Sequence, residues 1–199
     1  MAGSIDILIA ALENTTDFSI ENLEKIMAEN LPSEQDICTI AESTLPYGRT
    51  PLKATSNYEL IIGCWPRNGW CDAHDHGTAI GVVHSYSGEV EHFRYELNDK
   101  HLDLVEHSRI CKGETARLEP GMIHALQNVS SDDPYVGLHL YAPPTSHVRV
   151  FDLRNGDIYH VSDESAALIP NDERFIVSKE AGAFTYRNVV RTKEAASLN

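Results

Sequence analysis

The chain has 199 residues of ordinary globular composition, enough for one domain with an appendage and a core that needs no disulfide staples. Thirty acidic residues against sixteen basic give a net charge of −14, spread along the chain, which repels phosphate backbones and speaks against nucleic-acid partners. No apolar run approaches the roughly 20 residues of a membrane span, Met1-Ala2-Gly3-Ser4 carries no basic leader, and Cys38, Cys64, Cys71 and Cys111 form no CxxC pair. The expectation is a cytoplasmic protein with reduced thiols and no membrane partner.

Residues 1–45 read as a helical segment. Ile5, Leu8, Ile9 and Leu12 recur at helical spacing. Ser19 is placed to cap a second helix with Leu23, Ile26 and Met27 as its buried stripe, ended at Leu31-Pro32. Ser33 is placed to cap a short third helix containing Ile37 and Ile40. The texture changes at Pro46. From residue 46 to 161, short strand-like runs alternate with turns: Tyr58–Trp65, Ile80–Tyr86, Glu89–Leu97, Val148–Asp152 and Ile158–Val161, with Asn155-Gly156 predicting a two-residue hairpin. Such spacing predicts a mainly β sandwich or barrel. Residues 162–199 read as an extension packed on it, with further strands near Arg174–Val177 and Phe184–Tyr186.

Histidines carry the chemical signal. His74-Asp75-His76 places two imidazoles two residues apart, hence on one face of a strand, where they can share a metal ion. Asp75 then points away. Downstream, Pro120-Gly121 starts a strand bearing His124 in the pattern Gly121-x-x-His124-x-x-x-Asn128. With Gly69, HxH and Gly88, this resembles the paired motifs of the cupin (jelly-roll-like) β-barrel. The glutamate ligand common in cupins is missing, since its position falls at Ile80 or Gly81. A three-histidine site holds no protein anion, so it attracts a thiolate or carboxylate strongly. Imidazole ligands suit zinc, iron, nickel and copper almost equally.

Tyr47-Gly-Arg49, Cys64-Trp65, Gly69, His74-x-His76, His124 and Leu138-His-Leu-Tyr-Ala-Pro-Pro144 follow in that order. Over residues 46–156 this resembles the cysteine dioxygenase family of thiol dioxygenases. The resemblance implies a cupin barrel behind an N-terminal helical segment, with one Fe(II) per chain on His74, His76 and His124. The implied reaction inserts both atoms of O2 into a small thiol to give a sulfinic acid. Carried over by position, Tyr141 is the active-site tyrosine, His139 its hydrogen-bond partner, and Arg49, with Tyr47 beside it, the site for the substrate carboxylate. Gly81 stands where animal members carry a cysteine joined covalently to the tyrosine, so that cross-link is not expected. Gly137 stands where they carry serine, and Cys71, three residues before His74, is expected to be a buried inert thiol. His84, His92, His101, His107, His147 and His160 read as surface or structural, and Trp65 and Trp70 as core or pocket wall. Arg49 favours L-cysteine as substrate. 3-Mercaptopropionate, mercaptosuccinate and homocysteine remain as alternatives, as does a non-catalytic cupin that binds a small acid, and the oligomeric state stays open.

Overall fold

The computed structural model describes residues 4–129, 133–162, 165 and 167–188. Three helices open the chain: α1 Ile5–Glu13, α2 Ile20–Glu29 and α3 Glu34–Ile40. Each follows a serine in extended conformation, Ser4, Ser19 and Ser33. The hydroxyls of Ser4 and Ser33 accept backbone N–H groups in the first turn, which would otherwise lack partners. Ser19 stands at its cap position without that bond, and its own N–H donates to Asp17. Leu8, Leu12, Leu23, Met27 and Ile37 form the fully buried stripe of the three helices.

Thirteen strands follow among the described residues. They are β1 Gly48–Ala54, β2 Glu59–Trp65, β3 Ala73–His74, β4 Ile80–Ser87, β5 Glu89–Asn98, β6 His101–Cys111 and β7 Thr115–Leu118. Then come β8 Ile123–Gln127, β9 Tyr135–Ala142, β10 Arg149–Asp152, β11 Asp157–Val161, β12 Ile176–Glu180 and β13 Thr185–Arg187. They form two sheets, ordered β1-β2-β9-β4-β7 and β12-β11-β10-β3-β8-β5-β6-β13. From β2 to β5 and from β6 to β10 successive strands alternate between the sheets, so the two sheets enclose one interior. At the edges of the larger sheet, β12 pairs with β11 and β13 runs parallel to β6. These two late strands cover edges that would otherwise present unpaired backbone groups.

Two local readings change. Strand β6 was not predicted, because its charged and histidine positions interrupt the apolar pattern, yet it is the partner of β5 along the whole length of that strand. The β10–β11 turn spans four residues rather than two, with Asp152 paired to Asp157. The buried Asp152 carboxylate accepts the N–H groups of Arg154 and Asn155, which opens the turn before Gly156 closes it at φ +73.

Pleating decides what each sheet face holds. Strand β9 is buried along its whole length. Its Val136, Leu138, Leu140 and Ala142 join the apolar cluster under the helices. The alternate residues, including His139 and Tyr141, face the barrel interior. In β2, Leu60, Ile62 and Cys64 face the helices, whereas Ile61, Gly63 and Trp65 face inward.

Candidate metal centre

His74 ends β3 and His124 lies directly opposite it in β8. The strand stops at His74, so His76 sits in the following loop, and simple strand alternation does not explain its direction. Asp75 does. Its side chain is fully buried and turned away from the histidines, where Oδ2 accepts Nε and Nη2 of Arg149 at 2.7 and 2.6 Å. Its Oδ1 accepts the N–H groups of Arg149 and Gly77. Asp75 thereby fastens the HxH loop to β10. Gly77 then turns the chain at φ +61, where a Cβ would meet the Ser146 carbonyl oxygen at 2.6 Å.

The three imidazoles converge, with ring centroids 4.7–5.0 Å apart and one candidate ligand nitrogen from each within 4.8 Å of the others. His74 Nδ1 lies 2.8 Å from the Asp72 carbonyl oxygen, which can only accept, so Nδ1 carries the proton and Nε2 presents a lone pair. That Nε2 is 3.2 Å from Nε2 of His76. Two neighbouring ligands about 2.0–2.1 Å from a shared ion stand roughly 3.0–3.4 Å apart. His124 Nε2 is buried without a hydrogen-bond partner, the condition expected of a nitrogen reserved for an ion. Burial holds His74 down to about 4 and puts His76 and His124 well below the ordinary histidine value. All three are therefore neutral donors at physiological pH, and the set fits a divalent metal.

The five-stranded sheet supplies the opposite wall. Tyr141 packs against His76 with ring centroids 4.8 Å apart, and its hydroxyl is 3.0 Å from His139 Nδ1. Burial, helped by nearby Glu59, raises Tyr141 well above the ordinary tyrosine value, so it stays a phenol. Burial, with Arg49 close by, lowers His139 to about 3. Gly81 pairs with Tyr141 across the strands. A Cβ there would lie 2.9 Å from Cδ1 and 3.0 Å from Cε1 of the ring, so the tyrosine fits against a residue with no side chain. At Gly137 a Cβ would approach His139 Nε2 to 2.9 Å.

Arg49 lines the same cleft from β1. Its Nη2 is tied at 2.9 Å to Oε2 of Glu59, a buried carboxylate whose Oε1 accepts the N–H and hydroxyl of Thr145. Tyr47 stacks on Trp65 at 4.9 Å and 6° between planes, and its hydroxyl accepts the Ala167 N–H at 2.7 Å. All seven residues singled out in the sequence thus line one cleft. Cys71 is buried beside Trp65 rather than in the cleft, with its thiol pushed up to about 12 by burial. Trp65 is pocket wall, whereas Trp70 is 46% exposed and belongs to the surface.

Four residues escaped the sequence reading. Glu59, Thr145 and Arg149 act through partners distant in sequence. His92 was read as surface or structural, yet its Nε2 lies 3.1 Å from His124 Nδ1. Its spacing two residues after Val90 on β5 was the one available signal that it turns inward.

Residues 7–154 match the family described as cysteine dioxygenase type I. Cysteine dioxygenase type 1 of Danio rerio is 25% identical over 145 residues, 69% of this chain and 72% of that protein. The rat and human proteins of the same name are each 26% identical over 108 residues, so the match spans only about half of their length, 54%. Among solved structures, a Klebsiella pneumoniae protein with a double-stranded β-helix domain superposes with a TM-score of 0.49 at 16% identity, covering 60% of this chain and 95% of that one. The TT1209 protein of Thermus thermophilus gives 0.46 at 19% identity, covering 54% and 94%. The two facing sheets behind an N-terminal helical segment form the cupin barrel expected from the sequence motifs, and with three quarters of its residues matched the chain belongs to the cysteine dioxygenase type I family.

Proposed function

We propose that this protein is a thiol dioxygenase that converts L-cysteine to cysteine sulfinic acid, with one Fe(II) held by His74, His76 and His124. The observation that carries the reading is a single cleft with three neutral imidazoles on one wall and the Tyr141–His139 pair and Arg49 on the other. Iron bound there would supply the centre at which thiolate and O2 meet.

The chain's own residues do the rest. Three neutral ligands leave the site cationic once loaded, so it favours the thiolate form of the substrate. Arg49 receives the carboxylate. Glu59 engages Nη2 and leaves the other guanidinium N–H groups for a two-point contact that fixes where the sulfur lies. His139 Nδ1–H donates to the Tyr141 oxygen, which frees the phenolic O–H to donate into the cleft, toward oxygen being transferred to sulfur. Tyr47, Trp65 and the backbone at Ala167 wall the cleft against bulk water. A cleft walled by Tyr47, Trp65 and the three histidines suits a small molecule, and Arg49 suits a free carboxylate rather than a protein chain.

Sulfinate formation and O2 uptake by the iron-loaded protein test the reading on a panel of cysteine, 3-mercaptopropionate, mercaptosuccinate, homocysteine and cysteamine. Cysteine is expected to turn over fastest and cysteamine, which lacks the carboxylate, poorly. Another mercapto acid turning over fastest moves the assignment to that acid. Equal turnover of cysteine and cysteamine removes the role given to Arg49. No O2 uptake with any thiol points to the non-catalytic, acid-binding alternative.

A further inference from the structure

We propose that His92 is a positioning residue of the metal centre, acting through His124. The proposal rests on His74, His76 and His124 holding a divalent ion. A neutral imidazole has one N–H. For His124 to offer the Nε2 lone pair to an ion, its proton must sit on Nδ1, and that atom lies 3.1 Å from Nε2 of His92. His92 must then accept, and so carry its own proton on Nδ1. The two rings stand nearly perpendicular, at 82°, with centroids 5.3 Å apart.

The arrangement parallels the one at His74, where the Asp72 carbonyl fixes the tautomer. The difference is chemical. A backbone carbonyl is present whatever the side chain, whereas the acceptor for His124 depends on one side chain from β5, a strand that contributes no ligand. Both outer acceptors are neutral, so neither offsets the charge of the ion, and the site keeps its attraction for an anionic thiol. Without His92 the Nδ1–H of a fully buried ring has no acceptor in that direction, and the other tautomer, which turns an N–H toward the ion, becomes competitive.

The test uses metal-free full-length protein titrated anaerobically with Fe(II) against a competing chelator. His92→Leu is expected to weaken iron binding by about 10- to 100-fold, the range for loss of such outer partners. His92→Gln, which retains an acceptor oxygen, is expected to recover most of the affinity. A general loss of packing would weaken both variants alike. Independently of any variant, nitrogen-15 NMR of Zn(II)-loaded wild type is expected to show His92 protonated on Nδ1. Wild-type affinity in His92→Leu, equal impairment of the two variants, or His92 protonated on Nε2 in the loaded protein would each overturn the role of His92 alone. If wild type holds iron no better than His124→Ala, the three-histidine centre itself is wrong and the role of His92 falls with it.

Discussion

The two faces of the five-stranded sheet are both buried, and they hold opposite kinds of matter. The outer face, beneath α1–α3, is apolar: Leu60, Ile62, Val82, Leu138 and Leu140 pack on Leu8, Leu12, Leu23, Met27 and Ile37. The inner face, one residue out of step along the same strands, carries Glu59, His139 and Tyr141, with buried polar atoms such as His139 Nε2 lacking partners. The inner face also packs Ile61, Val83 and Leu118 against Tyr141, so what separates the two faces is where the polar groups of the cleft lie. The separation depends on the N-terminal helices, because without them the outer-face leucines would stand in water. A register slip of one residue would exchange the two sets.

Substitutions on the site side should be costly to turnover, in a graded order. His124→Ala is expected to lose most of the bound iron and all measurable sulfinate formation, as read by metal analysis and product assay. Retained iron in that variant would break the three-ligand reading. Tyr141→Phe is expected to keep iron and substrate binding and to lose about 10- to 1000-fold in rate, the scale of removing one donor to developing negative charge on oxygen. With Gly81 rather than a thiol against its ring, the peptide bearing Tyr141 should also run at its unmodified mass. Arg49→Ala is expected to raise KM for cysteine at least about tenfold, equivalent to roughly 1.4 kcal/mol, and to leave that for cysteamine nearly unchanged. Arg49→Lys should rescue only in part, because an ammonium cannot make the planar two-point contact. An unchanged KM in Arg49→Ala would mean that its ion pair with Glu59 is the whole of its role.

How far this division was legible in the sequence follows from the range of the interactions involved. Helix periodicity and the serines before each helix are local, and α1–α3 appeared where expected. The histidine spacing is local, and the resemblance to the cysteine dioxygenase family named Tyr47, Arg49, His139 and Tyr141 beside His74, His76 and His124; all seven line the cleft. What could not be read were contacts set by strand register between distant segments. Glu59 and Thr145 are 86 residues apart and Asp75 and Arg149 74 apart. The pairing of His92 with His124 depends on β5 lying beside β8. Period-2 alternation places His139 and Tyr141 on one face of β9, as found, but does not say what covers the other. That both faces of β9 are buried depends on α1–α3 covering the leucines, a contact between distant segments.

The outer face offers the smallest expected effect on rate, and the sharpest check on the comparison. Leu138 is fully buried between His139 and Gly137, so its backbone runs through the site while its side chain points into the helix-covered core. Truncating it removes apolar contacts within that cluster. Leu138→Ala is therefore expected to cost about 2–5 kcal/mol of folding stability, the range for buried leucines, measurable as a lower denaturant midpoint. At a temperature where the variant stays folded, kcat and KM for cysteine should remain within about twofold of wild type, because the 3.0 Å contact between His139 and Tyr141 is held from the opposite side of the strand. A rate loss comparable to that of Tyr141→Phe, in protein shown to be folded and iron-loaded, would mean that strain in the helix-covered core reaches the cleft through β9. The two faces would then be mechanically coupled, and the helices would belong to the site as much as to the core.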